Sequence, residues 1–212
     1  MNNDPYSGFM GTFSKVVDTL ILSILWLICS IPVITIGAAS SSFYQAYHKA
    51  IRQDRGYACK TFFSAFKENF KQATGIWLII LVFMSMSLIA CYWLWRISPV
   101  YPIAMTMLLF GSFLMLLVLM WSLYVFAYQC RFENTMLTVM KNAALIAFSH
   151  LLWTLLLFVI FAAAAVVVIL RPFLSAPVIA IYVWLANRIL ERIFRKLMTP
   201  EELQSELEWE KK

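Results

Sequence analysis

Leu151-Leu-Trp-Thr-Leu-Leu-Leu-Phe-Val-Ile-Phe-Ala-Ala-Ala-Ala-Val-Val-Val-Ile-Leu170 is a continuous run without a formal charge. Coiled as a helix at 1.5 Å per residue, it is about 30 Å long, the thickness of a bilayer's hydrocarbon core. Four further runs have comparable character: Val16–Ile36, Ile76–Trp95, Ile103–Tyr128 and Phe173–Leu190. The expected fold is therefore all-α: a single polytopic membrane domain, residues 1–212, with about five transmembrane helices. The third run exceeds the core thickness and should tilt or protrude. The last is short, and Ala186 and Asn187 can extend it toward the interface.

Composition agrees with the runs. The chain has 212 residues, 62% hydrophobic and 13% charged. A soluble domain averages about 45–50% apolar and about 25% charged. The net charge of +6 is not that of a nucleic-acid face, because Lys and Arg sit between and beside apolar runs. They read as topology signals and contacts to membrane lipids. Gly37-Ala38-Ala39 resembles a signal-peptide cleavage site, but the run before it is too long and Lys15 is offset by Asp4 and Asp18. The first run is read as a retained span.

The placement of basic residues predicts orientation. Fourteen of the 17 Lys and Arg fall in the first and third connections and the tail, and three on the opposite side. By the positive-inside rule the rich side is cytoplasmic, so the N-terminus is outside and the C-terminus inside. Residues 40–75 then form a cytoplasmic loop and 191–212 a cytoplasmic tail. The outer connections, near Pro99 to Pro102 and at Arg171-Pro172, are short. Tyr92, Trp93, Trp95 and Tyr101 mark an outer interface.

Four segments are candidates for function. Pro32 interrupts the first run, and Gly37, Ala38 and Ala39 permit close helix packing. Pro32 and Gly37 thus mark either a broken helix lining a transport path or a kink that shapes packing. In the loop, Asp54-Arg-Gly56 reads as a turn. Phe62, Phe66, Phe70 and Ala73 then share a helical face opposite Lys60, Lys67 and Lys71. This amphipathic helix, residues 60–73, anchors in headgroups or docks a partner through Phe62, Phe66, Lys67, Asn69 and Phe70. Third, Arg131 and Glu133 can pair with each other or with first-loop charges, and Asn134 can bond exposed backbone. In the tail, Arg188, Arg192, Arg195 and Lys196 read as lipid anchors, and Thr199-Pro-Glu-Glu202 as a capping box.

Enzyme signatures are lacking in the sequence. His48 and His150 have no metal-ligand spacing, no cysteine pair has C-x-x-C spacing, and no nucleophile elbow or P-loop occurs. No catalytic residue, cofactor or metal site is expected. Free cysteines acting as small hydrophobes are expected at positions 29, 59, 91 and 130.

Three stretches in order carry a resemblance: Leu25 to Ala39, Phe62 to Thr74, and Arg131-Phe-Glu-Asn-Thr135 with Lys141-Asn-Ala143. On these the chain resembles the YesL-like family, bacterial membrane proteins grouped under a domain of unknown function. That resemblance implies a bacterial plasma-membrane protein associated with carbohydrate uptake, because such genes often neighbour those for carbohydrate ABC importers. It implies no catalytic residues. Three functions remain open: an accessory protein partnered with importer permease subunits, a small stand-alone transporter or channel, and a membrane sensor or regulator. Sugar, partner and oligomeric state are not specified by the sequence.

Overall fold

The computed structural model describes residues 5–53, 56–132, 134–198 and 204. Among them every regular element is helical. The order is α1 (Pro5–Cys29), a 3-10 turn (Val33–Thr35), α2 (Ile36–Ala46), a π turn (Tyr47–Arg52), α3 (Ala58–Ile97) and α4 (Pro102–Arg131). There follow α5 (Met136–Ser149), α6 (Leu151–Leu170), a 3-10 turn (Pro172–Leu174) and α7 (Ser175–Phe194). Four helical segments are long and apolar enough to cross a membrane: α3, α4, α6 and Pro172–Phe194. The chain is an all-α, membrane-spanning protein.

The first apolar run, 16–36, is divided near Pro32. Pro32 has no amide hydrogen and disfavours helical geometry in Ile31, so α1 ends at Cys29. Thr35 Oγ1 closes the break, donating to the carbonyls of Cys29 at 2.5 Å and Pro32 at 2.7 Å. Ser30 lies at the break too, but its hydroxyl is buried without a partner among the described residues.

The amphipathic segment 60–73 is not a separate helix either. It is the first part of α3, 40 residues in one piece, about 60 Å at 1.5 Å per residue. Nothing at Thr74-Gly75 stops the helix, since one glycine costs only about 1 kcal/mol relative to alanine. Packing favours continuation: Ala65, Ala73, Ile76 and Ile80 are all buried along one side of α3. A segment so held cannot lie flat in the headgroup layer while the span stands upright.

Gly56 has φ +82°, a left-handed conformation natural to glycine, at the expected turn. Its neighbours Asp54 and Arg55 lie outside the described residues. Between α4 and α6 the structure adds α5, which sequence periodicity left unassigned. Val139, Ala143, Ile146 and Ala147 are its buried face, and Trp121 Nε1 of α4 donates to the Met140 carbonyl at 3.0 Å.

The packed core lies toward one end of the bundle. One cluster joins Tyr44, Ile76, Ile80, Tyr124 to Tyr128, Val139, Leu157, Leu190 and Phe194. A second joins Leu22, Phe43, Tyr47, Ile51 and Phe62. Many of the Lys and Arg belong to the elements that meet there, so it is the basic end of the molecule. The spans are sparsely packed by contrast. In their most apolar stretches only 11% to 22% of residues are buried. Large side chains such as Trp93, Phe110, Leu152 and Ile169 are exposed, as expected of helices solvated by lipid or by other helices.

Candidate functional site

Near the basic end, α7 carries a carboxylate into the core. Glu191 is fully buried. A charge taken out of water needs close partners, and three elements supply them. Tyr44 of α2 donates its hydroxyl to Glu191 Oε1 at 2.7 Å. His48 Nδ1, in the π turn, lies 3.2 Å from the same oxygen. Arg131 Nη2, at the end of α4, lies 3.6 Å from Oε2. The Tyr44 and His48 rings, one helical turn apart, are parallel to within 4° at 6.5 Å.

The surrounding polar groups orient this cluster. Gln53 Nε2 lies 3.0 Å from His48 Nε2. An amide donating there leaves the ring proton on Nδ1, facing Glu191. One turn before Glu191, the Asn187 oxygen accepts from Arg52 Nη1 at 3.3 Å. The Tyr44 hydroxyl is pushed well above the ordinary tyrosine range by its burial first, and then by the charge of Glu191 and the hydrogen bond to it. Tyr44 therefore remains a neutral donor. Chemically the cluster is a clamp: three donors from three elements close on one carboxylate and tie α2, α4 and α7 together.

Beside the clamp is a cavity of about 220 Å³, lined by Gln45, Lys49, Glu68, Asn69 and Gln129 among others. It adjoins a groove of about 450 Å³ that shares Gln45, Lys49 and Glu68 and extends to Tyr57 and Lys60. Asn69 Nδ2 donates to Gln45 Oε1 at 2.9 Å, linking α3 to α2 across the cavity wall.

The residues singled out from the sequence are distributed as follows. Pro32 sits exposed at the helix break. Gly37 is buried in close contact with α3 and α4; a Cβ there would lie 2.5 Å from Trp77 Cβ and 3.0 Å from Phe126 Cε1. Gly37 thus permits a close approach of α2 to side-chain and backbone atoms of α3 and α4. Phe62 is fully buried and Phe66 packs partly against the same cluster, which leaves Lys67 and Phe70 exposed. Asn69 faces the cavity. Arg131 joins the clamp. The Asn134 carbonyl accepts from Gln72 Nε2 at 2.8 Å, tying the α4–α5 connection to α3. Glu133 and the 199–202 segment lie outside the described residues.

The clamp's centre, Glu191, falls at the start of the expected cytoplasmic tail, 191–212, among Arg188, Arg192 and Arg195. α7 runs past residue 190 to Phe194 and carries Glu191 into the core. A signal was present in the spacing, since Asn187, Leu190, Glu191 and Phe194 share a helical face away from Arg188 and Arg192. Arg188 instead stacks over the Trp184 ring at 4.1 Å from its centroid.

The fold and the clamp define a helical membrane protein with a polar, well-packed end. Residues 19–90 match the model of a family described as "Protein of unknown function, DUF624". The matched stretch holds the Pro32 break, Gly37, the Tyr44–His48 side of the clamp and the α3 wall of the cavity. No curated protein and no solved structure matches the chain.

Proposed function

We propose that this chain is a non-catalytic accessory protein of a bacterial plasma membrane, seated against the permease subunits of a carbohydrate ABC importer. The observation that carries the reading is the contrast in packing. The basic end is a dense core, whereas the spanning helices bury 11% to 22% of their most apolar stretches. Side chains so free of one another in the bilayer are available to a neighbouring set of helices. The YesL-like resemblance suggests the partner's class, and the excess of basic residues supports a cytoplasmic position for the packed end.

The test is purification in mild detergent from cells grown on the inducing glycan. Permease subunits should copurify in a fixed ratio, and their absence overturns the reading. A reporter fused after Lys212 should be active inside the cell; export of that reporter refutes the orientation.

One observation favours a second reading, a membrane sensor. The same unbroken α3 that walls the polar cavity continues into a span, so a change at one end is mechanically available at the other. Exposed-face substitutions at Phe63 and Lys67 that change gene expression but leave uptake intact would select this alternative.

A further inference from the structure

We infer that the cavity beside the clamp is a binding site for a small uncharged polyhydroxyl compound of about monosaccharide size. The first observation is Gln129. It is 5% exposed, and both its amide nitrogen and its amide oxygen are buried without a partner among the described residues. Buried polar atoms are nearly always paired. Gln129 lines the cavity, and it asks for something that donates and accepts side by side.

The second observation is the chemistry of the wall. Gln45, His48, Tyr44 and Gln129 are each under a tenth exposed, so the site is built into the fold. Glu191 engages the Tyr44 hydroxyl, His48 Nδ1 and an Arg131 nitrogen. The cavity lining also holds the amides of Gln45, Gln53, Asn69 and Gln129 and the charges of Lys49, Glu68 and Arg131. Lys49 and Arg131 are balanced by Glu68 and by Glu191, the carboxylate beside Arg131, so a ligand with net charge is not favoured. A hydroxyl both donates and accepts, which suits an amide pair, an ammonium and a carboxylate together.

Size and access agree. About 220 Å³, against roughly 30 Å³ for a water molecule in the liquid, holds one pyranose or several waters. The adjoining groove, which shares three lining residues, opens a route from the aqueous side. The inference goes beyond the accessory reading and stands whether or not a permease copurifies.

The test uses the full chain in detergent, with D-glucose, D-galactose, D-xylose and L-rhamnose as probes and L-glutamine and inorganic phosphate as controls. At least one sugar should raise the melting temperature with saturation. At ten times its Kd the folded-to-unfolded ratio rises about 11-fold. Gln129→Met should abolish the response while melting no lower than the parent, because it removes an unpaired amide. Lys49→Ala, at an exposed position, should raise the half-saturating concentration roughly tenfold or more, the loss of one charge-assisted hydrogen bond. Sugars also stabilise proteins by exclusion from their surface. A rise that is linear and equal in Gln129→Met is that effect and overturns the proposal. So does a response to glutamine or phosphate alone, or no response to any sugar.

Discussion

Replacing Gly37 by alanine tests the account of how the bundle is held together. In an open helix the change stabilises by about 1 kcal/mol, because alanine loses less backbone freedom than glycine. Gly37 is not in the open. The added Cβ would lie 2.5 Å from Trp77 Cβ, 2.7 Å from the Ala73 carbonyl oxygen and 3.0 Å from Phe126 Cε1. Ordinary carbon contacts are about 3.5–4.0 Å, so α2 and α3 must separate by about 1 Å. Neither a Cβ nor a backbone oxygen swings aside as a side-chain end does. Overpacking of this kind costs about 1–3 kcal/mol. Trp77 also donates Nε1–H to the Val33 carbonyl at 2.6 Å, at the break after α1. Shifting it forfeits a further bond of about 0.5–1.5 kcal/mol. Against the propensity gain, the net is a loss of about 1–3 kcal/mol. Two glycines provide the contrast: Gly11 has nothing within 4 Å of a built Cβ, and Gly75 meets Met136 at an ordinary 3.7 Å. Thermal unfolding followed by tryptophan fluorescence in one detergent should therefore show Gly37→Ala melting below the parent. Gly11→Ala and Gly75→Ala should melt at or above it. If Gly37→Ala melts as high as Gly11→Ala, the close α2–α3 contact is refuted.

Two further perturbations address the clamp. Glu191→Ala leaves the charge of Arg131 and the His48 donor without their carboxylate, and should cost about 3–5 kcal/mol, with Glu191→Gln milder. Unchanged melting in Glu191→Ala would show that the carboxylate is solvated. Tyr44→Phe should cost about 1.5–3 kcal/mol at neutral pH, the scale of a hydrogen bond to a charged group. The Tyr44 hydroxyl titrates above its ordinary value of 10 when folded, because burial and Glu191 oppose its ionisation. With the folded value above the unfolded one, its stabilisation is complete below about pH 10 and is lost as pH climbs through the folded value. The melting-temperature gap between parent and Tyr44→Phe should narrow over that alkaline window. A gap constant with pH would remove Tyr44 from the titrating set.

Several elements were legible in the chain because their cause is local. Leu151–Leu170 is a helix with the bounds its uncharged run implies. Pro102 starts α4 at the first helical position, where its missing amide hydrogen is harmless. Pro32 announced a break, and Gly56 a turn. On the expected face of 60–73, Phe62 and Ala73 are buried and Phe66 is partly buried, but Phe70 is exposed. What could not be read was its continuity with the next span, because a helix boundary depends on what packs across it as much as on its own residues. The clamp was hidden for a related reason. Glu191 has the sequence neighbours of a surface residue, and its partners lie 147 positions away at Tyr44 and on α4 at Arg131.

The sequence by itself determined the solvent of this protein and the class of its fold. A run of twenty uncharged residues, apolar but for Thr154, satisfies its own backbone groups in lipid when it is coiled as a helix, whatever surrounds it. Only the tertiary structure decided which polar residues are buried, which small residue is a contact and where a cavity remains. Those properties belong to pairs of distant side chains. Their energies depend on separation and on shared exclusion of water, and neither is written at any one position.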